Sequence, residues 1–146
     1  MEGIRTVKRL ILALFFAASV YGMDDKTLQS ASLTNVILTS ASSDQIYRIT
    51  GYVVVTRAAT TSASVTTTLT YTDADRNALT TMTLLGFNSG GTVGTTPANS
   101  TTSTGVLCII AIIRAKAGTN ISYSTVYASV GATTMQYSIH MREEDL

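Results

Sequence analysis

Downstream of Lys26 the chain reads in twos. Apolar and polar residues alternate over one short stretch after another, which is the period of a β-strand whose successive side chains face opposite ways. Residues 33–39 form a first short run, and the polar residues 40–44 break it. Over residues 46–57, Tyr47, Ile49, Gly51, Val53 and Val55 fall on one face and Arg48, Thr50, Tyr52, Val54 and Thr56 on the other. Val65, Thr67, Leu69 and Tyr71 share a face opposite Thr66, Thr68, Thr70 and Thr72, the pattern of a strand with one dry and one wet side. Residues 73–77 turn the chain into a further strand over 79–87. Ile121, Tyr123, Thr125 and Tyr127 then alternate with Ser122, Ser124, Val126 and Ala128. In the last strand Met135, Tyr137, Ile139 and Met141 face inward, with Gln136, Ser138, His140 and Arg142 outward.

Residues 106–113 break this rule. Val106-Leu107-Cys108-Ile109-Ile110-Ala111-Ile112-Ile113 has no polar face, so both sides of the run need cover. A helix is the rival assignment, but the run is short, rich in Ile and Val, and enters a good turn at residues 116–119, which favours a strand. A small sandwich has a single core, so the second face of this strand predicts contact with another subunit. The pattern as a whole predicts an all-β chain and a single antiparallel β-sandwich of about 8 strands. Its expected core includes Ile49, Val53, Leu69, Ile110, Tyr137 and Ile139, and its expected oligomer interface Val106, Cys108, Ile110 and Ile112 with Tyr52 and Tyr127.

The sandwich is expected over residues 33–142, with an N-terminal arm over 23–32 and an acidic tail over 143–146 that ends in solvent. Residues 88–105 are Gly, Ser, Thr and Asn around the only proline, Pro97, and predict a loop. Loops longer than about 12–15 residues are usually functional or mobile, and binding residues tend to sit on loops held by a rigid scaffold. Asn88, Thr92, Pro97 and Asn99 therefore mark an expected partner-binding loop.

Composition sharpens the class. Charged residues are 13% and hydrophobics 45%, with 26 Thr and 15 Ser, so Thr takes the surface places that Lys and Glu usually fill. That suits the exposed faces of strands in exported or virion proteins. Disorder is the bland reading of so much Ser and Thr, and the regular interleaving of Val, Ile, Leu and Tyr argues against it. Net charge is +1 overall, but from Met23 onward seven Lys and Arg stand against eight acids, so no basic surface recommends nucleic acid. The single Cys108 excludes an intramolecular disulfide and a cysteine zinc site, and its apolar neighbours predict a packed thiol.

Residues 1–22 have the three parts of a secretory signal: a basic start at Arg5, Lys8 and Arg9, an apolar stretch over 10–20, and small-residue cleavage at Gly22. The apolar stretch falls well short of the roughly 20 residues that cross a bilayer, so no stable membrane span is expected. Two other readings stay open: translation begins at Met23, or the segment is retained as an amphipathic or assembly helix.

Candidate chemistry is sparse. Asp73, Asp75 and Asn77 copy the first half of a calcium loop, but Ala78 stands where the sharp-turn glycine belongs and Leu84 where the bidentate acid belongs, so an Asx turn is the plainer reading. His140 lies on a polar face without a second His or Cys to share a metal, as a surface histidine would. Residues 88–94 are glycine-rich but lack the lysine of a phosphate loop, and Gly-x-Ser-x-Gly is absent. Asn99-Ser100-Thr101 and Asn120-Ile121-Ser122 fit the glycosylation sequon, which chance supplies readily in so Ser- and Thr-rich a chain. Without Trp, sugar stacking would fall to Tyr52, Tyr123 or Tyr127, whose commoner fate is packing. Neither a cofactor nor a catalytic residue is expected, and the chain reads as a non-enzyme.

The succession Ile46-Tyr47-Arg48-Ile49-Thr50 and Val53 to Thr56, Thr70-Tyr71-Thr72-Asp73-Ala74-Asp75, Ala115 to Ile121, and Gly131 to His140 resembles a family of phage-associated proteins similar to trimeric jelly rolls of the tumour-necrosis-factor and complement globular-head type. The resemblance spans residues 33–142. It implies a homotrimer that decorates a capsid or forms a fibre tip and touches a neighbouring virion protein. A second class of role is a secreted bacterial surface or filament subunit that binds matrix, glycan or itself. Either places the protein outside the cell. Processing after Gly22 would mark the secreted role, and a start at Met23 the virion.

Overall fold

Alternation of apolar and polar residues recurs in most of the strands, and their pairing sets the architecture. The computed structural model describes residues 23–60, 62–84 and 106–146, and all of its regular elements are strands. They are β1 (Met23–Gln29), β2 (Val36–Ser40), β3 (Gln45–Arg57), β4 (Ser62–Asp73), β5 (Ala78–Leu84), β6 (Val106–Ala115), β7 (Asn120–Val130) and β8 (Gln136–Asp145). The segment 1–22 expected as a signal and the loop residues Asn88, Thr92, Pro97 and Asn99 lie outside the described residues.

The pairing is nested. β1 pairs with β8, β2 with β7, β3 with β6 and β4 with β5, all antiparallel. The chain is therefore a long ribbon folded back on itself, first strand on last. Additional pairs β3 with β8 and β4 with β7 roll the ribbon into two sheets, β1-β8-β3-β6 and β2-β7-β4-β5, bridged at one corner by Asp73 and Ala115. That winding is a jelly roll, the architecture expected from the sequence.

Each sheet presents alternate side chains to the space between them. Tyr47, Ile49, Val53 and Val55 of β3, Ile109, Ala111 and Ile113 of β6, and Tyr137, Ile139 and Met141 of β8 meet Val65, Leu69 and Tyr71 of β4 and Ile121 and Tyr123 of β7. All are buried, and burying an aliphatic side chain of this size contributes about 1.5–3 kcal/mol. The strands β3 and β8 approach closely at Gly51, which pairs with Met141. A Cβ there would stand 2.3 Å from the His140 carbonyl oxygen and 2.7 Å from the Met141 sulfur.

Four expectations are corrected. Residues 23–29 are not an arm but the edge strand of the first sheet, held by ladder bonds that need no apolar side chains. The acidic end is not a solvated tail: β8 continues against β3 to Asp145, and the Leu146 amide donates to the Ile46 carbonyl oxygen at 3.0 Å. Alternation continues with it, so Glu143 follows Met141 inward and is 1% exposed. Ile110 is not in the core. Ile109, Ala111 and Ile113 take the inward positions of β6, and Ile110 is left 72% exposed. Finally, β2 begins only at Val36, after Asn35 takes a left-handed φ of 48° that Asn tolerates better than most residues.

Candidate functional site

The outer face of the β1-β8-β3-β6 sheet carries most of the unexplained side chains, and the strand register places them in rows. Cys108 of β6 stands opposite Tyr52 of β3, Tyr52 opposite His140 of β8, and His140 opposite Asp25 of β1. The next row is Ile110, Thr50, Arg142 and Met23, followed by Ile112, Arg48 and Glu144, and then Arg114 beside Ile46. The β6 side of this face is apolar: Ile110 is 72% exposed, Ile112 64%, and Cys108 is exposed rather than packed. Tyr52 and Ile46 extend the strip onto β3.

Toward β8 and β1 the face becomes polar. Tyr52 stacks on His140 with ring centroids 4.6 Å apart, and Nδ1 of His140 lies 2.5 Å from an Asp25 carboxylate oxygen. Arg48 donates through Nε to Glu144 at 3.0 Å, and Arg114 pairs with Asp75. Met23, Asp25, Thr50, Tyr52, His140 and Arg142 line a shallow depression of about 540 Å³. Exposed ion pairs of this kind are worth little individually, about 0–1 kcal/mol, so they frame the strip more than they stabilise the fold.

The opposite sheet has a different outer face. Thr66, Thr68, Thr70 and Thr72 run along β4, and the Thr70 hydroxyl meets that of Thr81 at 3.2 Å. Val126, Ala128 and Val130 form a short exposed apolar run along β7 there, and Leu79 is exposed on β5.

The residues expected at an oligomer interface divide accordingly. Cys108, Ile110, Ile112 and Tyr52 come together on the first sheet, whereas Tyr127 does not join them. Tyr127 lies on the second sheet, half-buried against the core, stacks on Tyr137 at 5.9 Å and donates its hydroxyl to the Met135 carbonyl at 2.8 Å. Its parity with Ile121 and Tyr123 was the signal for this. The side chain of Val106 lies outside the described residues. Met23, Asp25, Ile46, Arg48 and His140 were missed as members of one face, because which strands are neighbours cannot be read from alternation alone.

Asp73, Asp75 and Asn77 sit in the β4–β5 turn. Asp73 Oδ1 accepts from the amides of Asp75 at 3.0 Å and Arg76 at 2.9 Å, an Asx turn. Asp75 is engaged by Arg114, and Asn77, at φ 49°, by the Lys116 ammonium. The oxygens a cation would need are aimed at the turn's own amides and at two basic side chains. Among the described residues no group of three His, Cys, Asp or Glu side chains is placed to hold a metal.

Three tyrosines are exceptional inside the sandwich. Tyr123 is fully buried and donates to Asp24 of β1 at 2.5 Å; burial first, and then this bond to a carboxylate, push its pKa far above the ordinary phenol value. Tyr137, equally buried, donates to the Ala31 carbonyl oxygen at 2.8 Å and meets Thr125 Oγ1 at 2.7 Å; burial raises its pKa too, and the Thr125 bond opposes the rise. Burial, then the Asp73 charge, raises that of Tyr71. Tyr123 is thus closed to any ligand, and Tyr52 is the candidate stacking tyrosine that remains exposed.

Compared with solved structures, the chain is similar to the infectious bursal disease virus VP2 subviral particle, with a TM-score of 0.42 and 12% identity over 84% of this chain and 32% of that one. It spans about a third of the length of that viral chain. No family model and no curated protein matches the sequence.

Proposed function

We propose that this protein is a non-enzymatic structural module of a virion, a capsid decoration or fibre-tip protein, which assembles with copies of itself through the outer face of the β1-β8-β3-β6 sheet. The observation that carries this reading is the exposed pair Ile110 and Ile112 beside exposed Cys108, on a strand whose intervening residues already fill the core. Contiguous exposed apolar surface usually marks a contact. The face is large enough: four strands about 19 Å across and about 33 Å long present on the order of 600 Å² before corrugation, near the roughly 800 Å² per partner of a standard interface. Its apolar strip with a polar, ion-paired border has the layout of an interface core and rim.

Jelly rolls serve viral capsids among several other roles, so the fold is compatible with a virion part without dictating one. A trimer is the first expectation for the oligomer. The second reading, a secreted surface or filament subunit, is favoured by the basic-then-apolar pattern of residues 1–22. N-terminal sequencing of the native protein separates the two.

The test of assembly compares the wild type with an Ile110→Lys, Ile112→Lys double variant by light scattering at micromolar concentration. The wild type is expected as an oligomer and the variant as a monomer with an unchanged β-type circular dichroism spectrum. A monomeric wild type sinks the proposal.

A further inference from the structure

Strand β1 is fastened differently from every other strand of the first sheet. It contributes nothing to the buried apolar core, and its large apolar residues, Met23 and Leu28, are 72% and 60% exposed. It is held to β8 by the backbone ladder, by Asp25 against His140 at 2.5 Å and by the Leu28 amide donating to Ser138 Oγ at 3.1 Å, and it is tied across the sandwich to β7 by Asp24, which accepts from the Tyr123 hydroxyl at 2.5 Å. Just beyond it the chain is pinned again. Ala31 accepts from the Tyr137 hydroxyl at 2.8 Å, Ser32 Oγ from the Tyr127 amide at 3.0 Å, and Leu33 exchanges bonds of 2.8 Å with Thr125 through both its amide and its carbonyl.

Between these two fastened stretches lies Leu28, where two irregularities coincide. Its φ is +52°, a left-handed conformation that crowds a Cβ against the following carbonyl oxygen. The β1–β8 register also shifts between Lys26 and Gln29, on either side of it. A strand with no apolar side chain in the core is thus joined to a firmly held connector through a single left-handed, solvent-exposed residue.

We propose that β1 is an exchangeable strand: in the assembled protein it swings out about Leu28 to Ser30 and pairs with β8 of a second copy. The inference rests on the reading that copies of this chain assemble. The occupant of the β8 edge is specified by chemistry. Two groups face consecutive residues of an incoming strand there: from the inner side the buried phenol of Tyr123, reaching across from β7, and on the outer side the imidazole of His140 on β8 itself. Consecutive carboxylates, one to each face, satisfy both, and Asp24-Asp25 of another copy supplies them in the same register. A strand of unrelated sequence would add ladder bonds but leave both groups unmet. A vacated edge would expose a row of unpaired backbone groups, so β8 requires a replacement. Exchange restores the β1–β8 ladder and both carboxylate contacts while freeing Leu28 from its left-handed conformation.

Met23 and Arg142 are register partners on the outer face, and directly opposed residues lie within disulfide reach. The full chain carrying Cys108→Ser with Met23→Cys and Arg142→Cys is assembled, oxidised and run on a denaturing, non-reducing gel. A parallel co-assembly joins one copy bearing only Met23→Cys to another bearing only Arg142→Cys, both with Cys108→Ser. Exchange predicts covalent dimers or longer ladders from the double variant and a mixed covalent dimer from the co-assembly, with circular dichroism unchanged. If the native oligomer persists but no interchain bond forms in either format, exchange is overturned and self-assembly stands. A wild type that light scattering shows to be monomeric overturns both.

Discussion

The hydroxyl of Tyr123, in the middle of one sheet, donates a 2.5 Å hydrogen bond to the carboxylate of Asp24, on the edge strand of the other. This contact crosses the sandwich, and it is how a strand with no core residue is tied to the core. Asp24 also holds the Lys26 ammonium at 2.7 Å.

Removing that carboxylate should loosen β1 selectively. Asp24→Ala is expected to cost about 1.5–3 kcal/mol, the usual range for a hydrogen bond to a charged group. Native-state hydrogen exchange should show protection lost in β1 while the β3 and β6 amides keep theirs. Uniform loss across both sheets would mean that the contact supports the whole fold.

Stability should fall in alkali. Tyr71, Tyr123 and Tyr137 all have pKa values raised above 10.0 in the folded chain. Below pH 10.0 the phenols are protonated in both states and contribute no slope. As pH rises beyond it the unfolded chain releases protons that the folded chain retains, so folding weakens by up to about 1.4 kcal/mol per pH unit for each phenol. Urea unfolding compared at about pH 9 and about pH 11 reads this directly, and Tyr123→Phe should lessen the slope.

Gly51→Ala should destabilise although alanine suits a strand better than glycine does. The added methyl meets backbone, the His140 carbonyl oxygen at 2.3 Å, so β3 and β8 must part. Overpacking of this kind costs about 1–3 kcal/mol, visible as a lowered urea midpoint.

Adjacent isoleucines of β6 should respond oppositely to charge. Ile109 is 4% exposed and Ile110 72%. Ile109→Asp buries an unpaired carboxylate and should abolish folding. Ile110→Asp should leave the circular dichroism spectrum intact, since the isolated subunit already shows this position to water.

That pair also marks what one sequence can and cannot tell. Where a strand has a wet side, as with Val65 to Tyr71 against their threonines, inward parity was legible at once. Over residues 106–113 both parities are apolar, and only the register with β3, Thr50 opposite Ile110, decides which faces out. β1 was invisible because Met23 to Gln29 carries no apolar alternation; backbone pairing alone makes it a strand. Glu143 was misplaced because charge suggested solvent, whereas two more residues of ladder carried it inward. Tyr52 was found and Met23, Asp25 and His140 were not, because their meeting depends on nesting the first strand against the last.

Nesting also dictates an order of assembly in time. The β4–β5 hairpin closes across a few turn residues, whereas β3 with β6, β2 with β7 and β1 with β8 each enclose everything already paired. Closing wider loops costs more chain entropy before any contact returns it, and topologies dominated by such contacts fold slowly. The ribbon should therefore zip outward from the turn held by Asp73, with mutational φ-values high around residues 70–81 and near zero in β1. The first part of the domain to be synthesised would then be the last to find its place.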